Sequence, residues 1–307
     1  EVAYLEQRKG AIAAAGDQAK YVDPYGEWYL KSSASEAPDV PDNAYFDGAQ
    51  TDVAIAKLAA LQAALSPATA AILIEGVQGE GGITPASPEY LLGLRRLCDE
   101  RRILLLMDGV QCGHFRTGRF QSFQRILENV SAAAGFLPDG ISMAKSLGGG
   151  FPIGAFWVRE EHHGVKLCDV LGPGTHATTY GGTPLGCAVA NKVFEVIERD
   201  RLAEHVRDTG AWLKAELEKL ATQYPQVIKS VRGLGFMLGI ELAENIPAFA
   251  NTGKVASLNF VNRLHDAGVL TVPSGAQVVR FLPALNLTRA EAGEGLTLLT
   301  NLVRSLA

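Results

Sequence analysis

The sequence predicts an α/β fold: a large domain with a mixed, mostly parallel sheet flanked by helices, then a small α+β domain. Three observations predict it. Short apolar runs, Ala71–Ile74 and Ile103–Met107, have the length and solidity of buried parallel strands and bracket a helical pattern. Two of the expected strands run into residues able to do chemistry, at the carboxyl edge where open α/β sheets bind ligands. From Val227 onward the pattern changes to paired strands, a helix, strands and a last helix. The expected domains are therefore 1–226 and 227–307.

Residues 1–66 are Ala-rich and weakly patterned, with a polar loop near 31–43. The sequence begins at Glu1, without methionine, inside what reads as a helix, so residues missing from the amino-terminal side are expected. Ser87-Pro88 offers an N-cap followed by proline at the first helical position. Tyr90, Leu94, Leu97 and Arg101 then share one helical face, widened by Leu91 and Cys98. Ile103–Met107 is the next strand, Gly140–Ala144 another, and Ile153–Val158 follows three glycines. Helices are expected over Pro184–Arg199 and Leu202–Gln223. Val227–Leu242 reads as a strand pair around Gly233 and Gly235, Lys254–Ala267 as a helix, and Gly268–Val272 and Val278–Leu282 as strands. Thr288 and Glu291 have capping-box spacing and open the last helix.

Composition excludes several classes. The 307 residues are 47% hydrophobic and 20% charged with a net charge of −5, and no basic cluster tracks a helix, so no nucleic-acid partner is expected. Apolar runs such as Ile103–Met107 fall far short of the ~20 residues that span a bilayer, and no membrane partner is expected. Cys98, Cys112, Cys168 and Cys187 form no CxxC pair and read as free thiols in a reducing cytoplasm. His162-His163, flanked by Glu160 and Glu161, reads as a solvated helix start or loop, and no metal site is expected.

Two residues carry the chemical argument. Asp108 leaves the apolar strand Leu104-Leu105-Leu106-Met107. A lone Asp there is ordinarily a turn residue, but a charge beside a core strand needs a partner, and a protonated pyridine nitrogen is one. Lys145 stands between a strand and Gly148-Gly149-Gly150, which permit close backbone approach. Most such lysines are surface residues. A lysine forming a Schiff base must lose a proton from an amine with a reference pKa of about 10.4, which burial favours. At successive strand ends the two fit the lysine and aspartate requirements of pyridoxal phosphate.

The motif order is more specific. Ile74-Glu75-Gly76-Val77-Gln78-Gly79-Glu80-Gly81-Gly82, Asp108-Gly109-Val110-Gln111 and Ala144-Lys145 through Gly150-Phe151-Pro152-Ile153-Gly154-Ala155 come first. His176-Ala177-Thr178-Thr179-Tyr180-Gly181-Gly182, Val231-Arg232-Gly233-Leu234-Gly235 and Val279-Arg280-Phe281 follow. Across about 70–285 this series resembles the class III aminotransferases, pyridoxal-phosphate enzymes of fold type I, and most of all the acetylornithine and ornithine aminotransferases. The resemblance implies that Lys145 forms the Schiff base and shuttles the proton, and that Asp108 keeps the ring nitrogen protonated. It puts Val110 and Gln111 against the cofactor, Gln111 near its phenolic oxygen. Thr179 donates to the phosphate across a homodimer interface, while Thr178 and Glu75 lie on the substrate side. Arg280 grips the α-carboxylate of glutamate or 2-oxoglutarate, and Glu80 masks it while the other amino donor is bound.

The sequence departs from the family at Gly76, where proline is common, at Gly109, where glutamate is usual, and at Cys112 and His114-Phe115. The stretch from Asp108 to Lys145 is long, with extra residues around Ile126–Gly135. The family's phosphate loop and its ring-stacking aromatic are expected ahead of this sequence, and Arg8 is a weak match for the second carboxylate-binding arginine. The leading expectation is transamination between an N-acylated ornithine and 2-oxoglutarate. Ornithine or another ω-amino donor, an aminomutase or decarboxylase on the same Lys145–Asp108 pair, and a truncated non-catalytic relative are the alternatives.

Overall fold

The computed structural model describes residues 51–170, 175, 178–250 and 252–307. The loop at 31–43, Arg8 and His176-Ala177 lie outside the described residues. In chain order the elements begin α1 (Thr51–Ala64), β1 (Ala71–Glu75), α2 (Pro88–Arg101), β2 (Leu104–Asp108), α3 (Ser122–Ile126), β3 (Gly140–Met143) and β4 (Ala155–Val158). A small hairpin of β5 (Glu161–His162) and β6 (Val165–Lys166) leads to α4 (Leu167–Val170), α5 (Pro184–Arg199) and α6 (Leu202–Gln223). Then come β7 (Ile228–Leu234), β8 (Met237–Leu242), α7 (Ala256–Asp266), β9 (Val272–Ser274), β10 (Val278–Phe281) and α8 (Arg289–Leu306).

The first sheet has the order β1-β2-β3-β4, with the first three strands parallel and β4 antiparallel. This is the mixed, mostly parallel sheet the sequence predicts. α2 begins as expected: Ser87 Oγ accepts from the Tyr90 N–H at 3.2 Å and Pro88 opens the helix. Its buried face is Leu91, Leu94, Leu97 and Cys98, packed with Ile74, Leu105, Met107 and Ile141. Each buried leucine contributes roughly 1.5–3 kcal/mol, which holds the helix across β1 and β2. Arg101, expected on that face, is exposed, because the stripe ends at Cys98.

The second sheet has the order β7-β8-β10-β9, with every neighbouring pair antiparallel. Its core joins Leu238, Ile240, Leu242 and Val279 to Phe260 and Leu264 of α7 and Leu299 and Val303 of α8. Leu213, Leu217 and Leu220 of α6 belong to the same core, upstream of residue 227. The capping box at Thr288 and Glu291 forms as predicted.

One expected strand is displaced. Residues 268–271 are not a strand, and β9 starts at Val272. Gly268 takes φ 95°, and its N–H and that of Val269 return to the carbonyls of His265 and Leu264, closing α7. His265 Nε2 lies 3.2 Å from the Thr271 nitrogen and 2.7 Å from its carbonyl oxygen, so this backbone is engaged before a ladder can begin. The expectation for His162-His163 is also corrected: His162 is buried in a strand, and only His163 is exposed.

Candidate active site

Strand register builds the site. Glu75 lies opposite Asp108, and Asp108 opposite Ser142, so three polar side chains line up where β1, β2 and β3 end. Asp108 accepts from the Val110 N–H at 2.9 Å and from Ser142 Oγ at 3.1 Å, both on Oδ1. Its other oxygen accepts no hydrogen bond from the described residues. Sequence reasoning missed Ser142, although a hydroxyl in the apolar strand Gly140–Met143 was the signal available.

Glu75 accepts from the Gly79 N–H with both oxygens, at 3.2 and 3.1 Å. Burial, opposed by that hydrogen bond, pushes its carboxyl up to about 7, and the negative charge of Asp108 adds to the rise while Lys145 opposes it. Glu75 therefore feels Asp108, Lys145 and Glu80 together, which makes these four one electrostatic neighbourhood.

Lys145 follows β3 with φ 50°, a conformation that costs a non-glycine residue of order 1–3 kcal/mol and clusters at functional sites. Its side chain is exposed, so burial, the expected means of freeing the amine, is not met among the described residues. It lines an open pocket of ≈ 980 Å³ with Arg116, Gly148–Ile153, Val193 and Asn286; Asp108 does not line that pocket. Gly148 is required by close approach, since a Cβ there would meet Ile153 Cγ2 at 2.7 Å.

On the other side, the loop after β1 is pinned to the second sheet. Ser274 Oγ donates to the Gly79 carbonyl at 2.7 Å and accepts from the Gly82 N–H at 2.8 Å, a link without a sequence signal. Arg280 NH1 then reaches Glu80 Oε1 at 2.6 Å and Gln111 Oε1 at 3.1 Å. The structure thus joins Arg280, Glu80 and Gln111 directly. The pair is lopsided: the Arg280 side chain is 13% exposed and that of Glu80 74%. Thr178 and Thr179 are exposed before α5 and make no hydrogen bond to these residues.

The departures from the family are built into the packing. A Cβ on Gly109 would meet Gln121 Oε1 at 2.3 Å, and one on Gly76 would meet Ser122 Oγ at 2.3 Å. The start of α3 thus fills the space a larger residue would need. His114 is buried with neither ring nitrogen hydrogen-bonded among the described residues, and burial lowers its pKa to about 4.

These residues fit the ring and aldehyde ends of pyridoxal phosphate. Asp108 presents a fixed carboxylate with one oxygen free of donors among the described residues, and Lys145 an accessible amine on a strained turn. The phosphate end is not assembled by the described residues.

Comparison with known proteins agrees. The family model described as Aminotransferase class-III matches residues 3–303. The acetylornithine aminotransferase of Nostoc sp. is 42% identical over 230 residues, covering 75% of this chain and 49% of that protein. Its Vibrio vulnificus counterpart is 37% identical over 291 residues, covering 95% and 62%. Among solved structures, N-acetylornithine aminotransferase from Stenotrophomonas maltophilia matches with a TM-score of 0.66 and 30% identity, covering 85% of this chain and 64% of that one. Ornithine aminotransferase from Toxoplasma gondii, described with partial occupancy of PLP at its active site, matches with a TM-score of 0.69 and 31% identity, covering 81% and 55%. The chain spans about half the length of the curated relative from Nostoc and under two thirds of that from Vibrio.

Proposed function

Because this chain belongs to the class III aminotransferase family, we propose that it carries the lysine, the ring-nitrogen carboxylate and the substrate arginine of a pyridoxal-phosphate transaminase. Its substrates are an N-acylated ornithine, acetylornithine first, and 2-oxoglutarate, giving a semialdehyde and glutamate as in arginine biosynthesis. The observation that carries the reading is the row Glu75–Asp108–Ser142 at the parallel strand ends, with Lys145 three residues beyond it.

When bound, pyridoxal phosphate supplies an aldehyde for an amine and a protonated ring that withdraws electrons from the reacting carbon. Lys145 Nζ is the amine that holds the cofactor and moves the proton at the carbon bearing the transferred nitrogen. The open oxygen of Asp108 holds the proton on the ring nitrogen, while Val110 N–H and Ser142 Oγ fix its orientation. Gln111, which accepts from Arg280, would approach the phenolic oxygen of the cofactor. Thr179, exposed and without a hydrogen bond to these residues among the described ones, serves a partner subunit in a homodimer. Thr178 and Glu75 face the substrate.

Arg280 binds the carboxylate of 2-oxoglutarate or glutamate, and Glu80 occupies it otherwise. The lopsided exposure supports this exchange, because an ion pair with one solvated partner is worth only about 0–1 kcal/mol and opens at little cost. Ornithine as the donor is the second reading, favoured by the likeness to ornithine aminotransferases. The four cysteines are unpaired, which suits a cytoplasmic location.

Borohydride reduction of the full chain loaded with pyridoxal phosphate should leave a pyridoxyl adduct on Lys145, read by peptide mass mapping. An adduct on another lysine, or none, overturns the reading. Arg280→Ala should slow the 2-oxoglutarate half-reaction by about tenfold or more while sparing the donor half-reaction, since a bidentate charged contact is lost. Equal damage to both halves would make the Glu80–Arg280 pair a structural link.

A further inference from the structure

At the end of the first sheet opposite Lys145, the β5–β6 turn meets the last turn of α2. Consecutive residues of a strand point to opposite faces, so two adjacent histidines ordinarily diverge. Here His163 and Gly164 both have positive φ, 50° and 79°, the pattern of a tight hairpin turn. That turn brings the two rings to a centroid separation of 4.1 Å at 64°. His162 Nδ1 lies 3.0 Å from Oδ1 of the fully buried Asp139, and the carboxylate charge favours the proton on that nitrogen. That leaves Nε2 to offer a lone pair, and it is buried with no hydrogen-bond partner among the described residues. Leaving such an atom unpaired is unfavourable, because it has given up water without gaining a partner. His163 Nε2 lies 3.8 Å from Asp99 Oδ1.

We propose that Asp99, His162 and His163 form a binding site for a divalent transition-metal ion of the zinc class, separate from the reaction site. Their ligand atoms lie within 4.8 Å of one another. Ligand atoms around tetrahedral zinc sit roughly 3.3 Å apart, given bonds of about 2.0–2.1 Å. The required contraction, up to about 1.5 Å, falls on the exposed side chains of Asp99 and His163. A carboxylate orienting a ligating histidine through its other nitrogen is the recurrent support of such sites, and Asp139 is placed to give it. Two imidazoles select zinc-like ions over magnesium or calcium, which take oxygen ligands. Asp99 lies in the last turn of α2, where the carbonyl end of the helix favours a cation.

Positive charge opposes the site. Arg95 NH2 lies 2.8 Å from Asp99 Oδ1, and Arg102 NH2 bonds the His163 carbonyl at 3.4 Å. Arg95 also pairs with Asp139 at 2.8 Å, so it keeps a carboxylate when Asp99 turns to the ion. Bound metal would tie the hairpin to α2 and raise the melting temperature through linkage.

The test titrates zinc alone into the full chain, followed by calorimetry and thermal unfolding, with cobalt as a visible-absorption reporter of tetrahedral nitrogen–oxygen ligation. One saturable ion per chain is expected. His163→Ala and Asp99→Asn, both at exposed positions and checked for unchanged circular dichroism, should each weaken binding about tenfold or more and abolish the thermal shift. No saturable binding in the parent chain, or binding within twofold of the parent in both variants, overturns the proposal. Because no cofactor is added, this outcome is independent of the Lys145 adduct.

Discussion

Asp108 and Asp139 stand at opposite ends of the parallel strands of one mixed sheet and are treated differently by it. Asp139 precedes β3, is fully buried, and is saturated: the Leu105 N–H at 2.7 Å, Arg95 at 2.8 Å, Arg159 at 3.0 Å and His162 at 3.0 Å all reach it. Burial raises its pKa, but the Leu105 N–H and the two guanidiniums outweigh that and hold it below the usual carboxylate value. Asp108 ends β2, is half-buried, and receives two bonds on one oxygen. A carboxylate whose donors all come from the protein holds a fold together. One aimed and half-filled is available to something the described residues do not supply.

The sharpest way to break this comparison is at Asp139. Asp139→Asn removes the charge that answers Arg95 and Arg159, leaving cations beside an uncharged group. Breaking a buried pair in this way costs about 3–5 kcal/mol, read as a lower urea midpoint at unchanged slope. The contribution of Asp139 is present above the unfolded carboxylate pKa and is lost as pH falls through its depressed folded value. The variant should therefore lie closest to the parent in strong acid. A loss below 1 kcal/mol at neutral pH would place Asp139 in the same class as Asp108.

The two carboxylates were not equally legible in the sequence. Asp108 was, because it interrupts a solid apolar run at the edge where parallel sheets bind ligands. Asp139, in Leu137-Pro138-Asp139, looks like a turn residue, and its partners Arg95, Arg159 and His162 lie 44, 20 and 23 positions away. Helices α5 and α6 were legible to the residue, since proline and periodicity are local. The Gly268–Val272 strand was misread because β-propensity cannot show that His265 has claimed the Thr271 backbone. The exposure of Lys145 and the pinning of Gly79 and Gly82 by Ser274 depend on long-range packing in the same way.

Glu75 lies between the two cases and sharpens the comparison through pH. Its folded pKa of about 7 is above the usual 4.5, so the folded state prefers the protonated form. Its contribution to stability is fully present below about pH 4.5 and is lost as pH rises through 7. Glu75→Gln keeps an acceptor for the Gly79 N–H and never ionises. Stability measured without cofactor should match the parent at pH 4 and exceed it at pH 8 by about 1–3 kcal/mol. Parallel stability curves for the two proteins would mean that Glu75 ionises without penalty and is not gathered with Asp108.

The smallest effect on stability is expected at Asp108, with the largest effect on chemistry. Asn in place of Asp108 retains the oxygen that accepts from Val110 N–H and Ser142 Oγ, so the local turn survives. The variant loses only charge, at a position where the second oxygen has no donor among the described residues to strand. Its unfolding free energy should stay within about 1 kcal/mol of the parent. The role proposed for Asp108 at the pyridine nitrogen, in contrast, depends on that charge. A preorganised electrostatic group of this kind is worth roughly a hundredfold or more in rate. Single-turnover mixing of cofactor-loaded Asp108→Asn with acetylornithine should show that loss, with Lys145 still labelled by borohydride. A stability loss approaching that of Asp139→Asn, with half-reaction rates near normal, would reverse the assignment. Asp108 would then be a structural carboxylate, and the two ends of the sheet would differ in burial alone.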